Sequence, residues 1–154
     1  MDNERVDDQE LQERLCSDLT QTEQRSLIFH LLYVLYSYDY TTSLESVADT
    51  FKKGFGIEIP PESAVFQATK SILEKRTELD NEMIPLIENW RFDRLGVSTT
   101  LILRLALWEL QQKKTDAAVI INEAVELAKC FAEKDAYKFI NGILDHYLKK
   151  QETL

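Results

Sequence analysis

Residues 138–148 read Lys138-Phe139-Ile140-Asn141-Gly142-Ile143-Leu144-Asp145-His146-Tyr147-Leu148. The apolar members Ile140, Ile143, Leu144, Tyr147 and Leu148 fall at i, i+3, i+4, i+7 and i+8, the spacing that lines one face of an α-helix. A half-buried strand would alternate at every second residue, and this stretch does not. Asp135 stands upstream, where a carboxylate can accept an unpaired N–H and cap the helix.

The same period recurs toward the N-terminus. Ala124, Val125, Ala128 and Phe131 form the stripe of a sixth helix, with Asn122 as its cap. Val119-Ile120-Ile121, just before it, is the single β-like run, and three residues beside a helix cap do not make a sheet. A fifth helix follows the break at Gly96, capped by Ser98 or Thr99 and carrying Leu101, Ile102, Leu105, Ala106 and Trp108. Asp80 can cap a short fourth helix through Leu86, Ile87 and Trp90, limited or bent by Pro85. Pro60-Pro61 excludes helix up to that point and opens a third over 61–79, with Ala64, Val65, Ala68, Ile72 and Leu79 inward. Thr42 or Ser43 caps a second, built on Leu44, Val47, Ala48 and Phe51 and closed by Gly54-Phe55-Gly56. The first begins at Thr22, with Leu27, Ile28, Leu31, Leu32 and Leu35 as one stripe. About seven helices joined by short links imply an all-α fold packed helix on helix.

Composition agrees. A chain of 154 residues suits one domain or two small lobes, and with only 4 Gly and 3 Pro it is no turn-rich sandwich or barrel. A chain of this size buries roughly 70% of its unfolded surface, so no disulfide or metal staple is needed. Cys16 and Cys130 lie far apart and read as reduced thiols. No apolar run approaches the roughly 18 residues of a membrane span, and the acidic N-terminus is unlike a secretory signal. A cytoplasmic protein without membrane contact is expected. The net charge of −9 is uneven: residues 1–24 hold eight acids against Arg5 and Arg14, leaving −3 for the rest. Residues 1–21 therefore read as an acidic extension and 22–154 as the helical domain. Leu11, Leu15 and Leu19, four apart, allow a short helix in the extension, while the charge density equally favours disorder.

Signs of catalysis are missing. His30 and His146 belong to no ligand-spaced cluster, no His-Glu-x-x-His or Glu-x-x-His occurs, and Gly54-Phe55-Gly56 lacks the Lys and Ser/Thr of a phosphate loop. No enzymatic activity, cofactor or metal is expected.

Ile121-Asn122-Glu123-Ala124-Val125-Glu126-Leu127-Ala128-Lys129, then Phe131, then Lys138-Phe139-Ile140-Asn141-Gly142-Ile143-Leu144-Asp145, resembles the C-terminal signature of the NusB family. Asn89-Trp90, Asp93-Arg94-Leu95 and Leu103-Arg104-Leu105-Ala106-Leu107-Trp108-Glu109-Leu110 are similar to its middle segment, and Arg25 with Leu32-Tyr33 to its first helix. A register pairing Leu35-Tyr36 instead leaves Arg25 too far upstream. The resemblance covers about residues 25–148 and implies two helical bundles packed together. It also implies transcription antitermination: pairing with the small-subunit ribosomal protein NusE, binding of boxA RNA in ribosomal RNA leaders, and action with other Nus factors on elongating RNA polymerase. The same fold forms the front domain of an rRNA cytosine methyltransferase; with no methyl-donor-binding part here, that activity is not expected.

Carried over by position, Lys138 supplies a cation for phosphate, Phe139 a face on which a base can stack, and Asp135 an acceptor for a base edge or a guide for Lys138. The alternative is a core phenylalanine and a simple helix cap. Arg25 stands for a phosphate contact, against a solvated arginine, and Tyr33 for the partner surface, against core packing. Asn122, Glu123 and Asn141-Gly142 read as structural, the glycine letting a neighbouring helix approach.

Two departures matter. Where the family carries basic residues before Arg25, this chain reads Gln21-Thr22-Glu23-Gln24, so RNA binding by the protein alone is expected to be weak. Where an acidic residue at the start of the fifth helix meets the partner, Thr99-Thr100 stand, one charge-assisted bond short. A runner-up reading is a non-catalytic scaffold of the same fold, binding proteins or forming a homodimer, with weakened RNA binding. A basic strip joining Arg25 to Lys138 would favour RNA; an acidic or apolar face would favour the scaffold.

Overall fold

The computed structural model describes residues 13–87 and 94–153. Residues 1–12, with Leu11, and also Asn89, Trp90 and Asp93, lie outside the described residues. Among those described there are seven α-helices: α1 (Gln21–Ser37), α2 (Leu44–Phe55), α3 (Ala64–Glu74), α4 (Arg76–Met83), α5 (Val97–Gln112), α6 (Ala117–Phe131) and α7 (Ala136–Glu152). The fold is all-α. The chain divides into two compact units, Met1–Lys70 and Ser71–Leu154, the boundary falling inside α3.

In the first unit, α1 opens with a reciprocal cap one turn long. The Thr20 hydroxyl accepts from the Glu23 N–H at 3.1 Å, and the Glu23 carboxylate accepts from the Thr20 N–H at 3.0 Å. The Thr20 backbone N–H, and after it the Thr20 hydroxyl, hold the Glu23 carboxyl below its usual range. Leu27, Ile28, Leu31, Leu32 and Leu35 are all buried, as their period requires. α2 starts at Ser43, whose hydroxyl accepts from the Ser46 N–H at 3.1 Å, and ends at Gly56 with φ 67°, a left-handed turn that suits glycine.

The reading of residues 1–21 as a plain extension needs correction over 14–19. Arg14–Leu15 forms a short strand β1, parallel to β2 (Ile57–Glu58), with Arg14 opposite Ile57 and Leu15 opposite Glu58. A 3-10 turn follows over Cys16–Asp18, and both Cys16 and Leu19 are buried while Leu15 is exposed. Leu15 and Leu19 therefore share no helical stripe. Backbone pairing, including the Arg14 N–H donating to the Gly56 carbonyl at 2.7 Å, captures this segment, and side-chain periodicity carries no trace of it.

The second unit corrects three further expectations. The single helix expected over 61–79 is two, α3 and α4, broken at Lys75. Asp80 is no cap: it lies within α4, and its carboxylate accepts from Nε and a terminal nitrogen of Arg104 on α5 at 2.7 and 2.8 Å. A two-pronged bond from a largely buried guanidinium is stronger than a cap. Pro85 sits in a 3-10 turn, Ile84–Leu86, after α4. Finally, Val119-Ile120-Ile121 is helical. α6 starts at Ala117, with Asp116 accepting from the Ala118 N–H at 3.3 Å, and Asn122 lies inside it.

α7 packs on α5 and α6, burying Ile140, Ile143, Leu144 and Tyr147. On its outer side, a Cβ at Gly142 would meet nothing within 4 Å. The glycine admits no neighbouring helix, contrary to expectation.

Candidate nucleic-acid and partner interface

The turn between α6 and α7 is shaped by Asp135. Its φ of 65° is left-handed, a conformation Asp tolerates better than most residues. The turn closes through backbone bonds, the Ala136 N–H to the Glu133 carbonyl at 3.0 Å and the Lys138 N–H to the Asp135 carbonyl at 3.1 Å. Asp135 occupies the capping position, yet its side chain makes no cap bond. The carboxylate instead lies 3.7 Å from the Lys138 ammonium, with both side chains more than half exposed. An exposed pair at this distance is weak and readily exchanged.

Phe139 is half-buried and borders a surface cleft of about 440 Å³, together with Arg94, Thr99, Glu133, Lys134 and Asp135. The ring is not sealed in the core, which keeps stacking open to it. Aromatic face, cations and carboxylates thus meet at one turn.

Glu133 closes the cleft against α5. Gly96, the residue before that helix, offers no side-chain cap, and a Cβ there would collide with the Glu133 carboxylate. The Thr99 hydroxyl donates to the same carboxylate at 2.8 Å. A negative group from the far side of the turn thus occupies the positive end of α5, where the helix dipole favours it.

Thr99 is only 3% exposed and faces Glu133, so the expectation of a partner-facing threonine needs correction. Glu133 itself is exposed. Arg25 differs as well. At 6% exposure it is buried in the first unit, not presented to solvent. The reason is its phase: Arg25, Ile28, Phe29 and Leu32 fall at i, i+3, i+4 and i+7 on the buried side of α1. The basic strip from Arg25 to Lys138 is therefore not available. Tyr33 is 42% exposed, its ring centroid 6.2 Å from that of Phe29, and Tyr36 and Tyr38 are exposed beyond it.

The structure thus gathers Asp135, Lys138, Phe139 and Thr99 in the second unit, and keeps Arg25 and Tyr33 in the first. Sequence reading missed Glu133 and Lys134, although they flank Asp135, and gave Arg94 no role. Among the described residues, no three His, Cys, Asp or Glu side chains are placed to hold a metal, and no helix is long and apolar enough to cross a membrane.

A model of the NusB family matches residues 22–149. The chain belongs to the NusB family. The transcription antitermination protein NusB of Macrococcus caseolyticus is 34% identical over 135 residues, covering 86% of this chain and 99% of that protein. That of Campylobacter concisus is 36% identical over 115 residues, covering 75% and 88%. In structure, T. maritima NusB superposes with a TM-score of 0.72 at 27% identity, over 86% of this chain and 92% of its own. A chain in the crystal structure of a plectonemic RNA supercoil shares the fold with a TM-score of 0.73 at 22% identity, covering 87% of this chain and 99% of its own. The NusB match contains every residue of the α6–α7 turn, whereas β1 lies outside it.

Proposed function

We propose that this NusB-family protein is a cytoplasmic, non-catalytic transcription antitermination factor. In this reading it pairs with the small-subunit ribosomal protein NusE and binds boxA RNA of ribosomal RNA operons. With other Nus factors, the pair keeps RNA polymerase elongating. The observation that carries the proposal is the exposed Lys138 beside Phe139 at the mouth of a cleft, next to a carboxylate not engaged in capping.

A base splayed from single-stranded RNA stacks on Phe139, a contact worth about 1–3 kcal/mol. Lys138 pairs with a phosphate, and Asp135 accepts from an amino group on a base edge. The start of α1 offers little to phosphate: Arg25 is buried and the stretch before it is polar to acidic. The protein alone therefore binds weakly, and a basic partner supplies the missing counter-charge.

Tyr33 on α1 and the Glu133 carboxylate at the start of α5 are the groups we assign to that partner. Glu133 stands in for the acidic side chain that Thr99-Thr100 lack: exposed, and with one oxygen accepting from the Thr99 hydroxyl, its carboxylate keeps acceptor capacity for a partner's cation.

Fluorescence anisotropy of labelled boxA RNA, with and without NusE and at two salt concentrations, tests the proposal. Binding that is tight with the partner and weak without it, and that weakens with salt, is expected. Tight binding by the protein alone at about 150 mM salt contradicts the role given to the partner. Absence of binding even with the partner overturns the RNA reading in favour of a protein-binding or homodimeric scaffold.

A further inference from the structure

We infer that Tyr137 gathers Lys129 of α6 and Lys138 of α7 into a second nucleic-acid contact, a clamp for the phosphodiester backbone of single-stranded RNA. The inference rests on the RNA reading above and adds a subsite on another side of α7 from Phe139.

The Lys129 ammonium lies 5.2 Å from the centre of the Tyr137 ring, and that of Lys138 lies 5.8 Å from it. Both distances are within the roughly 6 Å over which a ring face attracts a cation. Lys138 follows Tyr137 directly in the chain, whereas Lys129 reaches the ring from the neighbouring helix, so the second cation is brought there by the fold. Tyr137 and Phe139 are two residues apart on α7, hence about 200° apart around its axis, with Lys138 between them. A strand whose base rests on Phe139 meets Lys138 next, and then the ring with Lys129 beyond it.

Each lysine has a carboxylate nearby, Glu126 at 3.4 Å from Lys129 and Asp135 at 3.7 Å from Lys138, and all four side chains are close to half exposed or more. Such pairs are screened and yield readily to a phosphate. Holding an anion ordinarily costs lysine rotamer freedom, and a cation drawn to a ring face has less of it to lose. Lys138 also stands in the first turn of α7, at the positive end of a 17-residue helix. Nothing in the arrangement reads a base edge. The clamp is therefore indifferent to sequence.

The test uses the complex with NusE, titrated into boxA RNA and into a scrambled single strand of equal length at several salt concentrations. Lys129→Gln is expected to weaken both RNAs by the same factor, about threefold to tenfold, and to lower the salt slope by about 0.7, one phosphate on a single strand. Lys129→Arg is expected to restore the slope. Tyr137→Leu, which keeps both cations but frees them, weakens binding with the slope unchanged. If the unaltered complex binds RNA and Lys129→Gln matches it in affinity and slope, the clamp is wrong while the wider reading stands. If the unaltered complex binds no RNA, both fall.

Discussion

At the start of α1, Thr20 and Glu23 bind each other's backbone N–H groups, whereas at the start of α7 the side chain of Asp135 makes no cap bond and faces Lys138 in solvent. The cations nearby follow the same division. Arg25, one turn into α1, points into the core; Lys138, in the first turn of α7, points out. Polar groups that satisfy one another belong to the architecture. Polar groups held by the backbone in an unsatisfied position are available to a ligand. The two helix starts contain similar residue types, so only their geometry separates them.

The sharpest way to break this contrast is at Phe139. Phe139→Ala is expected to lower RNA affinity of the NusE complex about 10-fold to 100-fold, the loss of one base stack, while Phe139→Tyr retains most of it. Binding titrations decide, and an unchanged affinity would place Phe139 with the core. Next in size, Arg25→Ala should lower the unfolding free energy by about 2 kcal/mol, from loss of the bonds of a buried charged group. Urea melts measure that loss. The salt slope of RNA binding should stay as it was, and a slope lower by about 0.7 would return Arg25 to the interface.

Caps give a smaller effect. Thr20→Ala should cost about 1 kcal/mol at neutral pH. Because its bonds to Thr20 depress the Glu23 carboxyl, that part of the stability is present above the ordinary glutamate range and is lost as pH falls through the folded value. The main bond comes from the backbone N–H of residue 20, which Thr20→Ala keeps, so it is the gap between Glu23→Gln and the parent that should shrink in acid melts. Asp135→Asn, which keeps a residue tolerant of left-handed backbone, should change stability by less than about 0.5 kcal/mol yet weaken RNA binding. On the open side of α7, Gly142→Ala should stabilise the fold by about 0.5–1 kcal/mol in thermal melts, since a methyl there meets nothing.

The buried stripe of α7 was legible in residues 138–148 because helical period and packing agree there. α6 was misplaced because Asn122 is a good cap and three β-branched residues precede it, yet Ile120 shares the buried phase of Ala124, Leu127 and Ala128. Asp80 and Arg104 lie 24 residues apart, so their pairing left no local mark. Arg25 was readable in principle: its phase matches Ile28 and Phe29, and phase outranks charge when the helix packs. The place of Glu133 was not readable. Only the left-handed backbone at Asp135 and the bare Gly96 turn a surface glutamate into the neighbour of Thr99.

Photocrosslinking most directly tests whether the open helix start is the RNA site. BoxA RNA bearing photoreactive uridines would be bound to the NusE complex, irradiated, and the crosslinked peptides mapped by mass spectrometry. Crosslinks within residues 129–139 are predicted. Crosslinks in this chain confined to residues 20–40, with none around Phe139, would contradict the account.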